Sequence, residues 1–151
     1  IPAEGKKAGS WKMKINTIEH MKVRVVRSSS CTIKIEEIGL EVEPGGNSSG
    51  YISNIEGVLN RFYDIVEMIL RQAKRDNEDT VDKCILLLEE INEIKKGNKE
   101  VEIILLDPLG HSQILDDEAI SRELADEEIS GLAVGIGIPV FDIDTENNSE
   151  I

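Results

Sequence analysis

The side chains able to do chemistry are few and far apart in this chain. Cys31 and Cys84 stand 53 positions apart and His20 and His111 stand 91 apart, with no Cys-x-x-Cys pair to supply the spacing of a zinc site. His111 follows Asp107 closely enough that the two could share a metal, but an exposed turn histidine is the simpler reading. Cys31 falls among alternating strand residues and Cys84 on the apolar face of a helix, so each reads as a small buried hydrophobe. Neither cysteine has a histidine placed beside it, and no G-x-S-x-G elbow is present. PGGNSSG at 44–50 has the flexibility of a phosphate loop without its lysine, and GLAVGIGIP at 131–139 contains G-x-G without the following helix or downstream acid. Paired acids such as Asp116 and Asp117 read as helix starters. Catalysis, cofactor binding and metal binding are therefore unsupported within these residues.

Charge narrows the partners. Thirty acids against seventeen bases give a net charge of −13, which repels nucleic-acid phosphates and anionic lipid and would speed encounter with a basic protein surface. No apolar run approaches the roughly 20 residues that span a bilayer, and IPAEGKKAGS lacks the apolar segment of a secretory signal. Two cysteines fit a reducing compartment, so the expected location is cytoplasmic. The absence of an initial Met implies a fragment of something longer or a processed chain.

The elements that must position these residues follow from periodicity. At 151 residues and 40% hydrophobic content the length suits one domain, with a core built mainly of Ile, Leu and Val. Residues 1–10 read as a linker. Trp11, Met13 and Ile15, then Met21, Val23 and Val25, then Cys31, Ile33 and Ile35 alternate with polar neighbours as half-buried strands do. Ile38, Leu40 and Val42 resume in the other phase, which predicts a turn or bulge near 36–39. Residues 44–50 form a loop. Ser53 and Glu56 have capping-box spacing ahead of a helix whose Ile55, Val58, Leu59, Phe62, Ile65, Val66, Ile69 and Leu70 form one stripe. A second helix, about 80–96, makes the pair a hairpin spanning roughly 54–96, and Leu86, Leu87 and Ile94 widen its apolar face. VEIILL from Val101 reads as a central strand, Asp107 to His111 as a turn, and 112–115 as the returning strand. Residues 116–129 read as an acidic loop with a helical turn, LAVGIGIPVFDI at 132–143 as a bent strand, and 144–151 as a disordered tail. The fold expected over 11–143 is mainly β with α: a double-stranded β-helix or barrel-like antiparallel domain with an inserted helical hairpin. Consecutive helices disfavour a βαβ sheet.

Four ordered blocks carry a family resemblance: VVRS at 25–28, CTIKIEEIGLEVEPG at 31–45, GYISNIEGVL at 50–59 and LDPLGHSQI at 106–114. Together they resemble the ZPR-type zinc-finger protein family over about residues 20–115, with Ser53 and Asn54 in place of a threonine pair and His111 where asparagine is common. The resemblance implies a β domain that follows a four-cysteine zinc finger, so residues 1–10 would be what remains after a missing finger. Zinc would belong to that finger in the full-length protein and not to this stretch. It also implies a non-enzymatic adaptor or folding chaperone that binds translation elongation factor 1-alpha, in its GDP-bound or nascent form. With one β domain the chain looks like a single-module, archaeal-like relative. The residues it singles out for partner binding are Gly50, Tyr51, Ser53, Glu56, Gly57, Asp107, Gly110 and Ser112. Capping and close packing would account for Glu56 and Gly57 without any partner. Two other functions fit the residues: a cupin-like small-ligand barrel, and an oligomerisation module using the wide face of the second helix.

Overall fold

The computed structural model describes residues 7–44, 49–76 and 79–132 of the chain. Among these, strands β1 (Gly9–Ile15), β3 (Thr32–Ile35), β4 (Leu40–Val42), β6 (Val101–Asp107) and β8 (Ile120–Glu123) form one sheet, ordered β4-β3-β6-β1-β8. Strands β2 (Arg24–Arg27), β5 (Tyr51–Asn54) and β7 (Gln113–Leu115) form a second, with β2 between the other two. Every pairing is antiparallel. The chain changes sheet between β1 and β2, β2 and β3, β4 and β5, β5 and β6, β6 and β7, and β7 and β8. That back-and-forth winding is the double-stranded β-helix, or jelly roll, and among the described residues no strand pairing joins the two sheets into a closed barrel. Helices α1 (Ile55–Asp76) and α2 (Asp79–Lys95) lie between β5 and β6 in sequence, which makes the hairpin an insertion.

Strand β6 is central, as its apolar run predicts, pairing with β1 on one side and β3 on the other. Its burial alternates: Val101, Ile103 and Leu105 are buried while Glu102, Ile104 and Leu106 are half-buried. One face therefore looks into the core with Met13, Ile15, Ile33 and Ile35 from the neighbouring strands. Val25 and Ile114 of the second sheet, together with Ile55, Val58, Leu59, Phe62 and Val66 of α1, belong to the same apolar cluster. Asp107 keeps the inward phase of β6, so the strand's last core position holds a carboxylate.

Local chemistry explains where the chain departs from its periodicity. Met21 is buried from a 3-10 turn at Ile18–Lys22, and β2 begins only at Arg24; the alternation through Met21 and Val23 is not a strand. A 3-10 turn at Glu36–Ile38 absorbs the phase change between β3 and β4. Residues 51–54 form a strand because β2 offers an open edge, and Ser53 within it does not cap the helix. The Asn54 side chain caps instead, its Oδ1 accepting the Gly57 N–H at 2.7 Å. Helix α2 ends in a Schellman motif at Gly97, with Gly97 N donating to Ile94 O and Asn98 N to Glu93 O.

Strand β7 does not return along β6; it crosses to pair with β2. The acidic stretch after it supplies β8 on β1 and a short helix α3 (Asp126–Ser130), pinned by Arg122, which donates to both oxygens of Glu128 at 2.9 and 2.7 Å. Strand β1 starts at Gly9, inside the stretch read as a linker. Most of the loop reading (residues 45–48), the helical break at 77–78, and the bent-strand and tail readings beyond 132 lie outside the described residues.

Candidate functional site

Two distant segments, residues 28–30 and 107–112, meet at Asp107. Its Oδ1 accepts from Ser30 Oγ at 2.8 Å and the Leu109 amide at 2.9 Å. Its Oδ2 accepts from Ser28 Oγ at 2.7 Å, Ser112 Oγ at 2.7 Å and the His111 amide at 3.0 Å. Ser112 Oγ in turn accepts from the Ser28 amide at 2.9 Å, so the turn at Ser28–Cys31 is tied to the turn at Asp107–Gly110. Burial of the Asp107 carboxyl pushes its pKa up, but the hydrogen bonds from Ser112, Ser28, the Leu109 amide and Ser30 outweigh that and hold it below the ordinary range. A carboxylate that is 1% exposed and accepts five donors is a structural anchor, not a poised acid or base.

The turn also guides the start of β1. Gly110 has φ +72°, and a Cβ there would stand 2.1 Å from the Lys7 carbonyl oxygen. Only glycine lets the chain pass so close. Gly50 plays a similar part on the other side, where a Cβ would lie 2.8 Å from the Arg27 carbonyl oxygen.

Next to this anchor lies a partly open cationic face. Tyr51 pairs with Arg27 across β5 and β2, and the Arg27 guanidinium sits 5.6 Å from the Tyr51 ring centre while donating to the Cys31 carbonyl at 2.9 Å. Arg61, exposed on α1, stacks on the same ring at 3.9 Å. Burial pushes the Tyr51 phenol up, with Arg27 and Arg61 pulling the other way.

The structure thus brings Gly50, Tyr51, Asp107, Gly110 and Ser112 around β2 and the turn that follows it. Ser53 lies further along β5 opposite Val25, its hydroxyl donating to the Asn54 carbonyl at 3.0 Å. Gly57 donates to the Asn54 cap, and a Cβ on it would meet Ser53 Oγ at 2.0 Å, so its role at the helix start is close packing. Glu56 is exposed on the first turn of α1. Asp107 and Ser112 are too buried to touch a partner and act by shaping the surface. Ser28, Ser30, Arg27 and Arg61 complete the site; Arg27 and Ser28 fall in the VVRS block without being singled out for binding, and Ser30 and Arg61 lie outside every block. The signal for the serines is the hydroxyl run at 28–30, since an aspartate in a core phase needs donors from elsewhere in the chain.

The remaining candidates do not assemble a reactive centre. His20 lies beyond the Ile15 end of β1, where Nδ1 accepts from the Asn16 amide at 3.1 Å and Nε2 stands 3.6 Å from Glu118. His111 is exposed near the Gly9 end of that strand, so the two histidines do not converge. Cys31 and Cys84 are both buried free thiols, and burial pushes Cys31 up to about 12. Among the described residues no group of three His, Cys, Asp or Glu is placed to hold a metal, so these residues do not fit a zinc site. Two shallow depressions of about 240 and 380 Å³ run along α2, both lined by Leu86 and Glu90 and away from the Asp107 anchor. No helix among the described residues is long and apolar enough to cross a membrane.

Comparison with known proteins agrees with this architecture. The profile of the ZPR1 jelly-roll domain matches residues 19–130. An uncharacterized ZPR1-like protein of Methanocaldococcus jannaschii is 39% identical over 91% of this chain and 69% of its own length. A second, of Pyrococcus horikoshii, is 36% identical over 83% of this chain and 56% of its own length. A protein of Schizosaccharomyces pombe named zinc finger chaperone zpr1 is 26% identical over 76% of this chain, which spans 24% of that protein. With the profile covering most of the two-sheet fold and its anchor, the chain belongs to the ZPR1 jelly-roll domain family.

Proposed function

We propose that this domain is a non-enzymatic protein-binding module that engages translation elongation factor 1-alpha as an adaptor or folding chaperone. The observation that carries the reading is the fate of the signature residues. Asp107, Ser112 and Gly110 are consumed in building a rigid turn, and Gly50 and Tyr51 beside them present an aromatic and arginine surface rather than a reactive group. Tyrosine and arginine are the residue types that dominate protein interfaces. A net charge of −13 supports a partner with a basic surface, through steering of the encounter. The name of the fission-yeast relative supports a chaperone role in particular. Zinc, on this reading, belongs to a finger outside the described residues, and the protein works in the cytoplasm.

The test is retention of purified elongation factor 1-alpha, in its GDP form, on the immobilised protein at moderate salt. Specific retention that weakens as salt rises is the expected result. Absence of retention by both this chain and a longer protein that carries the finger would remove the reading.

A further inference from the structure

We infer that Arg61, lying over the Tyr51 ring, is the docking point for a carboxylate side chain of the partner; this rests on the protein-binding reading above. In a chain with thirty acids, exposed arginines readily find one. Arg122 does so with Glu128. Among the described residues Arg61 does not: its guanidinium instead lies 3.9 Å from the centre of the Tyr51 ring. The aromatic contact restrains an exposed guanidinium without using a carboxylate, and a guanidinium is a planar fork suited to bidentate contact with one. Little side-chain freedom is then lost on binding.

The position suits a docked protein segment. Tyr51 belongs to β5, an outer strand of the three-stranded sheet, and its neighbour Ile52 projects to the opposite face with 66% of its surface exposed. A segment laid along that edge has a cationic contact on one side and an apolar one on the other. The overall negative field favours a partner that is basic at long range, whereas Arg61 asks for an acid at one point. A single opposite charge of that kind fixes register more than it raises bulk affinity.

Calorimetric titration of elongation factor 1-alpha with the wild-type protein and with Arg61→Lys, Arg61→Ala and Arg61→Glu tests this. The expected order of affinity is wild type, then Lys, then Ala, then Glu, with Ala weaker by roughly tenfold or more and Glu weaker still. Melting temperatures should stay close to wild type, because Arg61 is exposed. If the wild type itself does not bind, the functional reading falls and this inference falls with it. Wild-type binding that survives Arg61→Glu overturns this inference alone. So does a variant whose lost affinity is matched by a lost fold.

Discussion

The Asp107 anchor holds the turn that follows β2 and the Tyr51–Arg61 face packs beside the last residue of β2, yet they treat polar groups in opposite ways. At the anchor, three hydroxyls and two backbone amides converge on one buried carboxylate, and both oxygens are used. On the face, an exposed guanidinium lies over an aromatic ring and, among the described residues, meets no carboxylate. The contrast separates two uses of neighbouring motif residues. Groups that are buried and saturated define shape, and on the proposed reading the exposed ones are left for recognition.

Substitution of the anchor probes the difference most severely. Asp107→Asn replaces an acceptor by an amide with its own donors, so several donors lose their partner at once, and a loss of about 3 kcal/mol or more is expected in urea unfolding. A near-neutral result would mean that the carboxylate is not what joins the two turns. Gly110→Ala comes next, at about 1–3 kcal/mol, because both its φ and the Lys7 carbonyl oppose a side chain. Gly57→Ala should cost less than Gly110→Ala, since the obstacle there is a serine hydroxyl that can rotate rather than backbone. Thermal or urea melts of the pair would show whether the anchor's rigidity lies in the backbone.

The helix start allows a cleaner split between two caps. Asn54→Ala should cost about 1 kcal/mol and Ser53→Ala a few tenths, because only Asn54 accepts the Gly57 amide. The reverse order would restore a Ser53 capping box.

Acid titration sharpens the comparison further. The folded pKa of Asp107 is depressed, so its stabilisation is fully present above the unfolded value of about 3.9 and is lost as pH falls from there through the folded value. Asp107→Asn should therefore flatten the stability curve below about pH 4 relative to wild type, while Arg61 variants leave that limb unchanged. The smallest effect belongs to the face itself. Arg61→Ala should shift stability by no more than about 1 kcal/mol, the scale of an exposed cation–π contact.

Much of the fold was legible because it rests on short-range rules. The alternation of Trp11, Met13 and Ile15, the run from Val101, and the stripe from Ile55 to Leu70 each report which face is buried, and those faces are buried in the jelly roll. The errors share a cause. Met21 sits in the right phase but in a 3-10 turn, and 51–54 became a strand only because β2 was there to pair with. The serines of the anchor were part of a recognisable string, yet nothing local ties Ser28 to a carboxylate 79 positions away.

Sequence alone thus determined the periodic elements, the order strands, hairpin, strands, the acidic surface and the family, because each depends on neighbours along the chain or on composition. Tertiary structure decided the sheet to which each strand belongs, the crossing of β7 to β2, the gathering of Ser28, Ser30 and Ser112 on Asp107, and the exposed stack of Arg61 on Tyr51. Those depend on contacts between distant segments. Antiparallel pairing is nearly indifferent to which compatible strand it meets, so the choice is made by how the whole core closes.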